Sequence, residues 1–313
     1  MTKRSGYWLP SSATADARRL LSTRALRGFA DGMVSLLLPS YLSALGFSSF
    51  RIGAIVFGTL FGSAALTLLI GLLGNRLSLR SVLLGAAVLM FATGLGFASI
   101  ISFWPLFFVA VIGTLNPSAG DVSLFLSVEQ AALAETVVSR DLTAVFSRYN
   151  VAGAFAGALG ALASGLPSVV AAHFGLSTLS AQRCGFFVYS GIGTIAAVVY
   201  RSLSSAAKTN IQRLATPPLA KSRQTVLKLA AVFSIDSLGG GFIVQSLLAL
   251  WLFRRFNLSV EIAGAFFFVV GLLGAVSQLA SSGLAARIGR INTMVYTHLP
   301  SNALLILAPS MPG

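Results

Sequence analysis

The sequence predicts an all-α polytopic membrane protein, and three observations carry that prediction. Hydrophobic residues make up 56% of the 313 and charged residues only 10%, with a mean hydropathy of +0.85, whereas a soluble domain carries about 25% charged residues. Apolar runs of the roughly 20 residues needed to cross a bilayer core recur from residue 24 to the end. Most of the 22 Lys and Arg residues fall in the gaps between those runs.

Taken in order, the apolar runs lie near residues 25–46, 51–73, 81–100, 103–127, 142–165, 184–200, 229–252, 261–283 and 292–310. That reading gives about nine transmembrane helices. The uncharged stretch from Ser81 to Gly120 must hold two of them, broken around Ser99-Ile100-Ile101-Ser102. The stretch from Tyr149 to Arg183 is split by Gly165-Leu166-Pro167. Residues 1–23 form a polar, basic tail that leads into a retained first helix. The one long polar segment, residues 201–228, carries Lys208, Arg213, Lys221 and the pair Pro217-Pro218. It divides the chain into a six-helix bundle, 24–200, and an incomplete second bundle, 229–313. Because three further helices would be needed to mirror the first bundle, the chain is expected to be a fragment or a truncated product.

Charge fixes the expected direction of insertion. With the N-terminus inside, Lys3, Arg4, Arg18, Arg19, Arg24, Arg27, Arg76, Arg80, Arg140, the basic connector, Arg287 and Arg290 are all expected to face the cytoplasm. The opposite side holds only Arg51, Arg183, Arg254 and Arg255. This is the positive-inside pattern, and it leads us to expect a bacterial inner (plasma) membrane protein with a cytoplasmic N-terminus. The net charge of +14 does not suggest nucleic-acid binding, since the basic residues form no single field or recognition helix. One cysteine, Cys184, rules out an internal disulfide framework. His173 and His298 are far apart with no metal-ligand spacing, so no cofactor or metal is expected.

Two segments repeat. Asp31 in "RGFADGMVSLLLPSYLSALGF" and Asp236 in "AVFSIDSLGGGFIVQSLLALWLFRRFNL" each sit early in the first helix of a half. One span later comes a glycine-arginine turn: "GLLGNRLSLR" from Gly71 to Arg80, and "GLAARIGR" from Gly283 to Arg290. Such repeats are the usual plan of secondary transporters.

On these residues the chain resembles the major facilitator superfamily, whose signature between its second and third helices is a Gly-x-Leu-Ala-Asp-Arg-x-Gly-Arg-Arg loop. Gly71, Leu73, Arg76 and Arg80 match it, with Asn75, Ser78 and Leu79 standing where aspartate, glycine and arginine are expected. The second copy keeps Leu284, Ala285, Arg287, Gly289 and Arg290. The resemblance implies a two-bundle helical fold of six plus three helices. It also implies a cytoplasmic gate at Gly71, Asn75, Arg76, Arg80, Arg287, Gly289 and Arg290. There the arginines would close onto helix C-terminal carbonyls or a carboxylate, with Glu129, Glu135 and Asp141 as candidate acids. The plainer alternative is that Arg76 and Arg80 anchor the loop among lipid headgroups.

Charges inside the membrane are costly unless paired or facing a cavity, and they supply the candidate pathway. Asp31 has Arg27 one turn earlier and is either a coupling residue or an anchored pair. Asp236 has Lys228 two turns back. In "GTLNPSAGDVSLFLSVEQAAL", Pro117 breaks the fourth span, and Asp121 and Glu129 share a face eight residues apart. Arg148 lies well inside the fifth span and is expected to pair with Asp121 or Glu129, either statically or as a pair that opens for a proton or an anion. Gln245, Asn150 and Tyr149 are candidates for hydrogen bonds in the cavity. Gly153, Gly157, Gly160 and Gly165 mark a close-packing face. That face resembles the glycine-rich fifth-helix motif of the family's antiporters without its central Gly-Pro.

The expected function is secondary active transport of a small solute by alternating access, coupled to an ion gradient, with protons the first choice. The permease would work as a monomer in the lipid bilayer. No Walker sequence and no convergent catalytic set are present, so an enzyme is not expected. The alternative is a truncated, non-transporting membrane protein acting as a scaffold or sensor.

Overall fold

The computed structural model describes residues 10, 13–73, 77–118, 123–138, 141–204, 223–241, 244–307 and 310. Within them the chain forms twelve helices. In the first part these are α1 (Ala15–Ala44), α2 (Ser49–Leu73), α3 (Leu79–Ser99), α4 (Phe103–Ile112), α5 (Leu124–Ala134), α6 (Leu142–Ala163), α7 (Leu166–Phe174) and α8 (Thr178–Arg201). After the connector come α9 (Arg223–Gly241), α10 (Gln245–Phe256), α11 (Val260–Ile288) and α12 (Arg290–Leu307).

The helices start and stop where local chemistry directs. Hydroxyl side chains of Thr14, Ser78, Ser123, Ser177 and Ser259 accept backbone N–H bonds at the starts of α1, α3, α5, α8 and α11, satisfying donors that a helix start otherwise leaves open. Gly175, at φ +64°, turns the chain out of α7, and Gly289, at φ +87°, separates α11 from α12, a conformation that glycine adopts without steric cost.

Five helical stretches among the described residues are each long and apolar enough to cross a membrane by themselves: Ser49–Gly71, Leu79–Ser99, Leu142–Phe174, Thr178–Arg201 and Val260–Ala280. The other expected spans are built differently. α1 is long, but its first half carries Arg18, Arg19, Arg24, Arg27 and Asp31. The expected fourth span is two helices, α4 and α5, parted at Pro117. The expected seventh is also two, α9 and α10. At the Pro117 break the freed backbone finds side-chain partners. Tyr189 Oη donates to the Thr114 carbonyl at 3.0 Å, and the Thr114 N–H donates to Thr93 Oγ1 at 3.3 Å. Irregular backbone at membrane depth survives only with such satisfaction.

Packing centres on α1, which meets α6, α8, α10 and α11. The α1–α6 contact brings the two backbones together at glycines. A Cβ placed on Gly28 would lie 2.6 Å from the Gly153 carbonyl oxygen. One on Gly32 would overlap the Gly157 carbonyl, and one on Gly160 the Phe29 carbonyl. Of the face expected on the fifth span, Gly153 and Gly157 meet Gly28 and Gly32 of α1 and Gly160 meets the Phe29 backbone, while Gly165 meets Glu261 of α11 instead. Small residues let helices approach this closely where no hydrophobic effect drives them together. A small second core of Leu36, Ala161, Ala249 and Phe267 joins α1 and α6 to α10 and α11.

Candidate functional site

Glu129 on α5 is a carboxylate with no solvent exposure. It accepts hydrogen bonds from Thr23 Oγ1 at 2.7 Å, Tyr200 Oη at 2.5 Å, Tyr149 Oη and Arg27 Nη2. Four donors from α1, α6 and α8 thus saturate one carboxylate. Arg27 is equally buried at 1% exposure, and its guanidinium lies 4.2 Å from the centre of the Phe125 ring. The expected pair of Arg148 with Glu129 does not form, because Arg27 already holds that carboxylate. Nor does Arg27 close locally on Asp31: its ion pair is made across the bundle.

Asp31 nonetheless belongs to the same neighbourhood. Arg24, Arg27 and Asp31 follow at intervals of three and four, which puts all three on one face of α1, and all three are buried. Asp31 is within electrostatic reach of Arg27, Arg24 and the Asn116 side chain. The Asn116 amide nitrogen comes near without a hydrogen bond of normal geometry. Arg24 stacks 5.4 Å from the Tyr149 ring centre. Nε and Nη1 of both arginines have no hydrogen-bond partner, so the network holds more donors than acceptors.

A second polar locus lies where the two broken spans meet. Ser246, at the start of α10, donates its hydroxyl to the Ser35 carbonyl of α1 at 2.5 Å and faces the Pro117 carbonyl at 3.1 Å. Its backbone N–H also donates to Pro117, at 3.2 Å. Gln245 Nε2 donates to Ser35 Oγ at 3.0 Å. Beside this junction is a cavity of about 190 Å³, lined by Ser118, Gln245 and Gln278 among the small residues Gly157, Gly271 and Gly274.

The packing of α6 against α11 is uneven along its length. At one end Ser168 Oγ, on α7, donates to Glu261, and a Cβ on Gly165 would come 2.9 Å from the Glu261 Cα. Contact continues through Gly264 against Ala161 and Gly271 against Ala158. Beyond Ala158 the helices part, leaving a groove of about 420 Å³ with Arg148 at its far end.

Comparison with known proteins was made on this framework. A sequence model of the Major Facilitator Superfamily matches residues 20–312. The chain belongs to the major facilitator superfamily. An uncharacterized membrane protein of Saccharomyces cerevisiae is 24% identical to it over 330 aligned residues, covering 95% of this chain and 74% of the yeast protein. The crystal structure of the nucleoside transporter NupG is similar in fold, with a TM-score of 0.58 at 17% identity. That match covers 88% of this chain and 69% of NupG.

The superfamily's signature loop can now be placed in part. Asn75 and Arg76 lie outside the described residues, as do Asp121 and the side chains of Asp236 and Arg290. Gly71 is exposed near the end of α2. Arg80 does donate to a helix C-terminal carbonyl, that of Arg201 closing α8. This bond ties α3 to α8 inside the first bundle, so Arg80 is not reaching across to the second. Arg287 and Gly289 are exposed, and Asn150 is exposed on α6. Asp16, before the apolar half of α1, accepts from the Ser204 N–H at 3.0 Å, from Ser204 Oγ at 2.5 Å and from Arg19 at 2.7 Å. Burial pushes its carboxyl upward, but these donors outweigh burial and hold it below the usual carboxylate range.

Sequence reasoning counted Arg24 and Arg27 among the cytoplasmic flank charges, whereas both are buried within the bundle, and it missed Thr23, Tyr200, Ser35, Ser246 and Gln278. For Arg24 a signal existed: its spacing with Arg27 and Asp31 puts three charges on one helical face. No spacing rule pointed to Tyr200 or Ser246, whose partners lie on helices remote in the chain.

Proposed function

We propose that this member of the superfamily is a secondary active transporter, not an enzyme, that moves a small polar solute by alternating access. Protons are the coupling ion. The observation that carries the reading is the meeting of two broken spans at Ser35, Pro117 and Ser246 beside a polar cavity. Discontinuous helices that bring unwound backbone to a repeat interface are the means by which secondary transporters hold solutes near the bilayer midplane. The cavity is smaller than the roughly 300 Å³ at which drug-sized pockets begin. Its polar lining is amide and hydroxyl, which suits a neutral solute with several hydroxyls. Nucleosides and hexoses are therefore the first probes, the former also prompted by the likeness to NupG.

Within this reading Asp31 is the coupling carboxylate and Glu129 is not, since four donors already occupy the Glu129 oxygens. Asp121 and Asp236 are further coupling candidates on sequence grounds, and the two glycine-arginine loops are the cytoplasmic gate. The N-terminus is cytoplasmic and the membrane is the inner (plasma) membrane, by the distribution of Lys and Arg. The α6–α11 contact then closes on the outer side, through Ser168 and Glu261, and parts on the inner side.

The test is flux. The full chain is reconstituted in vesicles containing a pH-sensitive dye, and a panel of nucleosides and hexoses is added under an imposed pH gradient. Solute-dependent proton movement that is lost in Gln245→Ala and uncoupled in Asp31→Asn is expected. Correct insertion with no gradient-driven flux for any solute, charged and apolar ones included, would overturn the reading in favour of a non-transporting membrane protein.

A further inference from the structure

The groove between α6 and α11 is built from two matching stripes. On α6, Arg148, Val151 and Phe155 recur at intervals of three and four; on α11, Leu272, Val276 and Leu279 do the same. Each stripe lies roughly a third of a helical turn away from the residues that line the polar cavity, at 100° per residue. The groove therefore opens on a different side of the helix pair. That side is the bilayer side, because Phe155, Val276 and Leu279 are 46%, 56% and 54% exposed in a chain whose solvent there is lipid. At the end where the helices part most sits Arg148, with no hydrogen bond or ion pair to any described residue and its Nη1 buried without a partner. Arg148 lies six residues into α6, about 9 Å from the start of the helix. That depth suits a guanidinium reaching toward the headgroup boundary.

We propose that this groove seats one anionic phospholipid, its phosphate on Arg148 and an acyl chain along the apolar stripes between α6 and α11. Charge complementarity selects the headgroup: guanidinium forks match phosphate oxygens, and basic pockets between membrane helices take acidic lipid heads. Shape selects a chain-bearing ligand, since among the described residues Arg148 is the one polar side chain lining an otherwise apolar wall of about 420 Å³. The lipid would act as a wedge across the contact that joins the two halves of the protein. The proposal concerns equilibrium binding in the absence of any gradient, so it stands or falls independently of whether the chain transports a solute.

The full chain would be reconstituted in vesicles of equal phosphatidylcholine and phosphatidylglycerol, extracted in mild detergent and weighed by native mass spectrometry. The wild type is expected to retain one phosphatidylglycerol with about tenfold preference over phosphatidylcholine, the scale of one hydrogen-bonded charge. Arg148→Gln should bring the preference close to one, and Arg148→Lys should keep most of it. Ala275→Phe fills the groove without touching the charge and should lose the lipid as well. Arg254→Gln, at the far end of α10, should change nothing. Because Arg148 has no partner to abandon, its variants are expected to fold normally. Equal retention of the two lipids, or unchanged preference in Arg148→Gln, would overturn the proposal. So would retention of decanoate in place of lipid, which would mark a site for a soluble amphipathic anion. A mass showing two chains joined with the groove covered would overturn it too.

Discussion

The first bundle and the α6–α11 contact treat charge in opposite ways. In the first bundle Glu129 receives four donors and Arg27 is held between that carboxylate and the Phe125 ring. Along α6 and α11, Arg148 has no partner among the described residues, and the nearest polar closure is Ser168 on Glu261 at the other end. A saturated charge cannot change partners without losing stability, so the Glu129 network behaves as scaffold. An unsatisfied one is available to a ligand. The buried position of a charge thus says less about its role than the number of partners it already has.

The largest effect expected from breaking this contrast is in Glu129→Ala, which strands Arg27 in a buried site. Removing one partner of a buried pair costs about 3–5 kcal/mol, so a sharp fall in Tm, or failure to purify, is expected. The double substitution Arg27→Met with Glu129→Leu should recover most of the loss. If Glu129→Ala melted like the wild type, the scaffold role would be wrong. Next comes Gly32→Leu, which forces a side chain into the Gly157 backbone. Overpacking of this kind costs about 1–3 kcal/mol, read in the same melt. Gly271→Ala, whose Cβ would come 2.9 Å from the Ala158 Cβ and 3.3 Å from its Cα, where one on Gly32 would overlap a backbone carbonyl oxygen, should cost visibly less.

Ser246→Ala is smaller again in stability, about 1 kcal/mol on the scale of interhelical hydrogen bonds in membranes. It should nevertheless alter solute flux more than melting, because it loosens the junction of the two broken spans. The smallest effect belongs to Asp16→Asn, a carboxylate covered by Ser204 and Arg19 near the start of α1, about 0.5 kcal/mol, the low end for one intramolecular hydrogen bond. Since the Asp16 carboxyl is held below its ordinary range, its contribution is fully present above the unfolded value near pH 4 and fades as pH falls through the folded value. A Tm difference between wild type and Asp16→Asn that persisted unchanged to pH 2 would contradict the hydrogen bonds drawn here.

What the sequence revealed was set by how far each signal reaches along the chain. The break at Pro117 and the close-packing face at Gly153, Gly157 and Gly160 follow from local rules, and the structure contains both. Partner choice was not legible. Arg27 and Asp31 have the spacing of an i,i+4 pair, and that local option looked nearest. In the fold Glu129, about a hundred residues on, is reached with better geometry and with tyrosines of two further helices around it. Helical periodicity tells which face a residue occupies but not which helix covers that face. Arg148 illustrates this: it was expected to pair across the bundle with Asp121 or Glu129, but Glu129 is held by Arg27 and the residues beside Arg148 are those of α11.

The Ser246 hydroxyl has one hydrogen and two carbonyls within reach, Ser35 at 2.5 Å and Pro117 at 3.1 Å. Its own backbone N–H keeps a separate hold on Pro117. One hydroxyl hydrogen with two acceptors beside it can turn from Ser35 to Pro117 if α10 tilts, while the Ser246 N–H keeps its own hold on Pro117.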